Sequence, residues 1–212
     1  MSDERVELRD GSEISIRPIE VEDRELLRAG FDRLSPESRY RRFFSPIDEL
    51  SERQLDYLTR VDHHDHEALV AIAPDGSCVG VARFVRTRPA EAEPAVVVVD
   101  DWQGHGVASI LLARLVERAL DEGITHFNAT VLAGNREPIA AVGRLGQATI
   151  SRHGSEVEVR VALRAGPSPT PLQLLLRALA AGTVDPAWAF WQRLLPRRAV
   201  PLGDHSQPRM SS

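Results

Sequence analysis

A glycine-containing turn between a buried strand and a helix holds the residues with the clearest chemistry in this sequence. Residues 96–99 are four consecutive valines, which predict a buried strand. Gly104 and Gly106 follow, and Ser109–Leu120 then shows apolar side chains at helical spacing. The first N–H groups of a helix have no partner within it, and the helix dipole makes that end positive. Strand, turn and helix together therefore predict a site for a phosphorylated ligand.

The spacing within this turn separates the common phosphate-binding motifs. Gly104 and Gly106 match the start of a Rossmann loop, but Ser109 stands where that loop has its third glycine. All 26 Lys and Arg residues are arginines, which excludes a P-loop and Schiff-base lysine chemistry. The pattern Gln103-x-x-Gly106-x-Ala108 resembles the pyrophosphate loop of the GNAT family, the Gcn5-related N-acetyltransferases, which bind acetyl-CoA. The alternative is an ordinary turn before a packed helix.

Further segments widen the resemblance. Residues 11–19, 34–44, 58–62 and 102–104 are similar to the acetyltransferase domain of bacterial Pat-type protein lysine acetyltransferases, and the similarity runs from about Val6 to Leu163. It implies an α/β fold with a GNAT-like mixed, mostly antiparallel sheet and helices on both faces. It also implies transfer of an acetyl group from acetyl-CoA to an amine by direct attack in a ternary complex, without a metal.

The sequence does not decide which amine accepts the acetyl group. Protein lysine side chains are the first interpretation and a small-molecule amine is the second. A non-catalytic CoA-binding regulatory or scaffold domain is a third, supported by Pro94 and by the lack of a tyrosine in residues 142–146, where many GNAT enzymes carry the acid that protonates sulfur. A regulatory interaction protein that works through its aromatic tail is the fourth.

Direct transfer to a lysine needs a base, because the pKa of that amine is about 10.4 in water. The resemblance implies Glu93 as the catalytic residue, because residues 92–95 match the Ala-Glu-x-Ala pattern that carries the glutamate of Pat-type enzymes. Strand alternation places Glu93 on the face of the odd-numbered residues 95–99. Glu91 is the other candidate, and both acids are solvated strand-end charges in the alternative interpretation. Pro94 is typical of a bulge or an edge, because it cannot donate a ladder hydrogen bond.

The resemblance also implies which residues hold acetyl-CoA. The valine strand hydrogen-bonds the pantetheine, the turn holds the pyrophosphate, and a later asparagine contacts CoA or caps a helix. The implied residues are Val97, Val98 and Val99 for the pantetheine, Gln103, Gly104, His105, Gly106, Val107 and Ala108 for the pyrophosphate, and Asn135.

Two other features suggest different chemistry but are interpreted as structural. Residues 62–67 hold three histidines and three acids, yet neighbouring side chains on an extended chain point apart, so we expect a solvated loop rather than a metal site. Cys78 is the only cysteine and opens a predicted strand, where a small core residue is the usual role.

Hydrophobic periodicity and turn residues predict alternating strands and helices. The predicted strands are Val6–Leu8, Glu13–Ile19, Glu67–Ala73, Cys78–Arg86, Glu93–Val99, His126–Leu132, Gln147–His153 and Ser155–Leu163. The predicted helices are Asp23–Leu34, one restarting at Pro36, Ser51–Tyr57 with a capping box, His105–Glu122 and Arg136–Leu145.

The 212 residues predict a GNAT domain over residues 1–165 and, over residues 166–212, a Pro-rich linker with an amphipathic helical tail whose end is disordered. The net charge of −5 argues against nucleic-acid binding, and no apolar run reaches membrane-spanning length, so a cytoplasmic protein is expected. We expect the apolar tail to pack on the domain or to form a homodimer, and surface binding to a membrane is the less favoured alternative.

Overall fold

An eight-stranded sheet, ordered β1-β2-β3-β4-β5-β6-β8-β7, organises the molecule. The structure is a computed structural model that describes residues 3–43, 47–132, 148–153 and 156–163. Its strands are β1 (Glu4–Glu7), β2 (Glu13–Pro18), β3 (His66–Ile72), β4 (Cys78–Arg88), β5 (Glu91–Val98), β6 (His126–Leu132), β7 (Ala148–His153) and β8 (Glu156–Ala162). Its helices are α1 (Arg24–Asp32), α2 (Pro36–Phe43), α3 (Glu52–Thr59) and α4 (Val107–Asp121). The predicted mixed, mostly antiparallel sheet is confirmed.

Helices cover both faces of the sheet, and the two sides of β4 show which helix lies where. A Cβ added to Gly80 would meet Leu111 and Val107 of α4. The next residue, Val81, lines a cleft with Leu27 and other residues of α1. Because successive side chains of a strand point to opposite faces, α1 and α4 pack on opposite sides of the sheet.

The central feature of the sheet is its single parallel junction among the described strands. β5 pairs with β6 only at Glu91 with His126 and at Ala92 with Phe127, whereas every other described strand pair is antiparallel. Beyond these two residue pairs, no ladder joins β5 to β6 in the part of the chain that is described. The gap that opens toward the carboxyl ends of the two strands is called the wedge below.

The structure confirms the predicted elements that it describes, with shifted boundaries. The capping box of α3 is present, because the Gln54 N–H donates to Ser51 Oγ at 3.4 Å and the Ser51 N–H donates to Gln54 Oε1 at 2.8 Å. α4 begins at Val107 instead of His105, because the left-handed Gly106 is its N-terminal cap and a 3-10 turn occupies Asp100–Trp102. The predicted helix Arg136–Leu145, Asn135, and the tail with its proposed dimer contact lie outside the described residues.

The core lies between the central strands and these helices. Its largest fully buried side chains include Phe84, Phe127, Leu111, Leu112 and Leu115. The apolar side of α4 therefore packs against the sheet. This packing places the amino end of α4 beside the carboxyl end of β5. None of the helices that the structure describes is long and apolar enough to cross a membrane.

Candidate active site

The turn between β5 and α4 has a backbone that only glycine adopts easily. Gly104 has φ +86° and Gly106 has φ +95°, both in the left-handed region. A Cβ at either residue would meet nothing within 4 Å, so the glycines are required by the backbone conformation and not by protein packing. The open space beside this turn leaves room for a ligand to approach the main chain.

Five consecutive N–H groups in this turn are unengaged. Among the residues that the structure describes, the amides of 104–108 donate to no protein acceptor, and the first helical bonds are Ser109 and Ile110 N–H to the Gly106 carbonyl at 3.0 and 3.2 Å. The positive end of α4 adds a partial charge at the same place. These donors suit a pyrophosphate, whose oxygens only accept hydrogen bonds at neutral pH.

Side chains from two other segments hold the turn in this shape. Gln103 donates its N–H to the Asp100 carbonyl at 3.1 Å, and its side-chain Nε2 to the Val98 carbonyl at 3.2 Å. His105 pairs through Nδ1 with Asp10 in the β1–β2 turn. The backbone N–H and the side-chain Nε2 of Gln103 are therefore used within the protein, where they position the amides that follow. Binding of the pyrophosphate by Gln103 itself stays a prediction.

Asp100 connects this turn to α2. It accepts hydrogen bonds from the Ser35 N–H at 2.6 Å, from the Ser38 hydroxyl and from Gln103 Nε2 at 2.8 Å. Burial raises the pKa of Asp100, but the hydrogen bonds from Ser38, Ser35 and Gln103 outweigh it and keep the pKa below its ordinary value. The carboxylate is therefore a structural anchor and stays charged.

The hydrogen bonds of β5 decide which backbone groups face the wedge. The Val99 N–H donates to the Val79 carbonyl at 3.0 Å, and the strand register then directs the backbone of the other odd-numbered residues toward β4. The backbone groups of Val96 and Val98 point to the wedge instead. The hydrogen bonds therefore favour Val96 and Val98 for the pantetheine, whereas the assignment of Val97, Val98 and Val99 from resemblance stays a prediction.

The same alternation explains Pro94. Pro94 is an even-numbered residue, so its nitrogen faces the wedge, where β5 has no ladder partner beyond Ala92. The missing N–H of proline therefore costs no hydrogen bond in the sheet, which fits the expectation of an edge-like position. Pro94 pairs with Phe84 in an unbroken part of the β4–β5 register, so it does not distort the neighbouring acids.

Glu93 and Glu91 enter β5 on the same face but have different surroundings. Glu91 accepts a hydrogen bond from Asn128 Nδ2 at 2.7 Å and pairs with Arg88 at 3.0 Å and Arg160 at 2.9 Å. The hydrogen bond from Asn128 and the charges of Arg88 and Arg160 lower the pKa of Glu91. A carboxylate stabilised in this way is a weak base. Glu93 is half-buried and lies two residues further along the face that Ala95 continues.

An apolar cleft begins at Ala95, two residues beyond Glu93, and runs along this face between the sheet, α1 and α3. It has an empty volume of about 550 Å³, including solvent at its mouth. Its lining residues from the strands and helices are mostly apolar: Leu27, Phe31, Leu34, Leu50, Leu58, Val81, Ala95, Val97 and Val99, with Arg83 as the charged member. The odd-numbered side chains of β5 thus face the cleft, as alternation predicts.

Arg83 contacts a backbone carbonyl and a histidine at the cleft. It is 4% exposed, donates to the Leu58 carbonyl at 3.3 Å and lies 3.2 Å from His66 Nε2. Burial and the charge of Arg83 lower the pKa of His66 to about 3, so the imidazole is neutral at pH 7. His66 therefore accepts a hydrogen bond from Arg83 and stacks beside the ring of Tyr57 at 4.9 Å.

We expect His66 to make the fold sensitive to mild acid. Its pKa is about 3 when folded and about 6.5 when unfolded, so the unfolded chain binds the extra proton and stability falls as pH drops from about 6.5 toward 3. This histidine adds a slope of up to about 1.4 kcal/mol per pH unit. Urea unfolding between pH 7 and pH 5 measures it, with His66→Gln as the control that keeps an oxygen acceptor. Equal slopes in the two proteins would contradict this assignment.

The polar segment 62–67 and Cys78 both have structural roles. Asp62 Oδ1 accepts three backbone N–H groups of the following turn at 2.8–3.0 Å, and the fully buried Glu67 binds Arg118 at 2.9 Å and His63 at 2.7 Å. Cys78 is buried, and burial raises the pKa of its thiol to about 11. It is a core residue, as expected, and its thiol is a poor nucleophile at neutral pH.

The sequence analysis did not predict three polar residues of this site: Asp100, Arg83 and Asn128. Each lies next to or within an apolar strand. Arg83 and Asn128 could have been found, because each is a polar residue at a strand position that alternation predicts to be buried. Their partners are distant in the sequence, so no local pattern shows what they bind.

Comparison with known proteins identifies the class of this fold and site. The model of the acetyltransferase (GNAT) family matches residues 30–146, which is more than half of the chain. The chain belongs to the GNAT acetyltransferase family, and it is an acyltransferase with the fold of that family.

Several named acetyltransferases are related to this chain. It is 35% identical over 147 residues to acetyltransferase PA5475 of Pseudomonas aeruginosa, covering 66% of this chain and 79% of that protein. It is 36% identical over 144 residues to acetyltransferase Pat of Mycolicibacterium smegmatis, covering 66% of this chain but only 43% of that protein. An L-methionine sulfoximine/L-methionine sulfone acetyltransferase of P. aeruginosa is 35% identical over 107 residues, covering 48% of this chain and 61% of that protein.

A solved structure agrees with the Pat relationship. The GNAT domain of S. lividans PAT superimposes with a TM-score of 0.66 at 34% sequence identity, covering 76% of this chain and 97% of that domain. The same part of the chain that carries the turn, the wedge and the cleft is therefore shared with a Pat domain.

Proposed function

We propose that this chain transfers an acetyl group from acetyl-CoA to the side-chain amine of protein lysines. The observation that carries the proposal is the row of five unengaged amides at 104–108, placed at the open end of the wedge. The pyrophosphate binds these amides, and the pantetheine lies along the unpaired edge of β5, where the backbone of Val96 and the N–H of Val98 face the wedge. Acetyl-CoA then supplies the thioester carbonyl at the closed end of the wedge.

Glu93 acts as the general base. The incoming lysine is a cation in water, and its nitrogen attacks only after losing a proton. Glu93 accepts that proton, directly or through one water, and passes it to solvent. As the new C–N bond forms, the C–S bond breaks and the nitrogen loses its second proton to water, while CoA leaves as a thiolate that takes a proton from water. The missing tyrosine in residues 142–146 is compatible with this route, because a thiolate is a tolerable leaving group.

A carboxylate-bearing small amine is the second candidate acceptor. The observation that favours it is Arg83, a buried cation in the wall of an otherwise apolar cleft. Such a cation suits the carboxylate of an amino acid whose apolar part fills the cleft. The relative that acetylates L-methionine sulfone supports this alternative.

An acceptor comparison tests the two candidates. The purified protein is incubated with acetyl-CoA and either a lysate protein mixture or L-methionine sulfone, and acetylated products are quantified by mass spectrometry. The proposal expects acetyl-lysine in the protein mixture. The chain has no lysine, so none of this signal can come from the enzyme itself. Product from L-methionine sulfone alone would reverse the order of the candidates, and no product from either would contradict both.

A further inference from the structure

Asn128 of β6 has a buried oxygen with no partner. The residue is 7% exposed, and its Nδ2 donates to Glu91 Oε2 at 2.7 Å. Its Oδ1 is buried and has no hydrogen-bond donor among the residues that the structure describes. Buried carbonyl oxygens in proteins are nearly always hydrogen-bonded. Nε of Arg160, the residue directly opposite on β8, is likewise buried without a partner among the described residues, so an unused acceptor and an unused donor lie together at this end of the wedge.

The orientation of the Asn128 amide is fixed by chemistry. An ionised carboxylate only accepts hydrogen bonds, so the amide nitrogen and not the oxygen must face Glu91. Arg160 and Arg88 hold Glu91 in place at 2.9 and 3.0 Å and keep it ionised. The Oδ1 atom is therefore turned away from Glu91, and this assignment cannot be reversed by flipping the amide.

Asn128 stands opposite Glu93 at the closed end of the wedge. It directly follows Phe127, the last β6 residue that pairs with β5. Its contact with Glu91 places it on that residue's face of the sheet, and Glu93 shares this face because it is two residues further along β5. The two side chains thus flank the position at which the thioester lies in the proposed function.

We propose that Asn128 Oδ1 accepts a hydrogen bond from the attacking amine. This inference rests on the proposed function. The pantetheine pairs with the β5 edge in the plane of the sheet, whereas the Asn128 side chain projects out of that plane on the side of Glu93. The ammonium gives one proton to Glu93, and one of the two N–H groups that remain on the neutral amine donates to Asn128 Oδ1; the other proton is lost to water as the C–N bond forms. Asn128 is unchanged by the reaction: it orients the nitrogen lone pair toward the carbonyl carbon.

The test is Asn128→Leu, which removes the oxygen but keeps the size of the side chain. The substrate is whichever acceptor, lysine peptide or L-methionine sulfone, the wild-type protein turns over. We expect kcat/KM for that acceptor to fall about 10- to 100-fold, the usual worth of a hydrogen bond to a group that gains charge. Acetyl-CoA affinity by calorimetry and the shape of the pH–rate profile should stay as in the wild type, because the turn and Glu93 are intact.

Arg114→Gln is the matched control, since it removes the charge of a partly exposed arginine that pairs with Glu4 and Glu117, away from Asn128 and Glu91, and should leave acceptor kinetics unchanged. Wild-type kcat/KM in Asn128→Leu would overturn the assignment. So would an equal loss of acetyl-CoA affinity, because it would show a structural role. If the wild type turns over neither acceptor, the proposed function fails and this inference fails with it.

Discussion

Replacing Glu93 by glutamine is expected to lower the turnover rate by roughly 10²–10⁴-fold, the usual contribution of a positioned general base. Glutamine has nearly the size of glutamate but cannot take a proton from the acceptor amine. Acetyl-CoA affinity should not change, because the amides of residues 104–108 lie at the other end of the wedge. Steady-state kinetics with saturating acetyl-CoA and titration calorimetry give the two quantities.

Glu91→Gln is the control for this experiment. Glu91 is already held by Asn128, Arg88 and Arg160, so its replacement should reduce the rate much less than Glu93→Gln does. The defect of Glu93→Gln should also shrink at high pH, where more of the acceptor amine is neutral before it binds. A larger defect in Glu91→Gln would show that the other acid of this strand is the base.

Replacing Gly106 by valine is expected to weaken acetyl-CoA binding by about 100-fold, which corresponds to losing one strong hydrogen bond to a charged group. A β-branched residue does not adopt φ +95°, so the turn must change shape and the amides of residues 104–108 lose their common direction. The substitution leaves the core untouched, because nothing lies within 4 Å of the added Cβ. Calorimetry with CoA measures the loss.

Gly76→Val provides a matched control, because Gly76 has φ +84°, equally open surroundings and a place in the β3–β4 turn away from the wedge. Both variants should lose similar thermal stability from backbone strain, but only Gly106→Val should lose CoA affinity. Equal CoA affinity in the two variants would place the pyrophosphate elsewhere.

The elements of the fold could be predicted because their signals are local. Four valines in a row, the two glycines of the turn and the helical spacing after Ser109 each depend on neighbouring residues, and the structure confirms strand, turn and helix there. The shared face of Glu93 and Ala95 follows from alternation alone.

The parts that could not be predicted depend on distant partners. Which edge of β5 is open is decided by its pairing with β4 and by the short junction with β6. The Gln103 side chain is held by a hydrogen bond to Asp100. Asp100 is held in turn by hydrogen bonds from Ser35 and Ser38, which lie far away in the sequence. Roles for Val97, Val99 and Gln103 could therefore be assigned only from resemblance, and they stay predictions that an acetyl-CoA complex would test.

The structure of the complex with acetyl-CoA tests the central claim most directly. The account predicts the pyrophosphate on the amides of residues 104–108, the pantetheine along Val96 and Val98 in the wedge, and the acetyl carbonyl carbon between Glu93 and Asn128 on the face of the apolar cleft. An acetyl-CoA molecule seated outside the wedge, or with its acetyl group on the α4 face of the sheet, would contradict it.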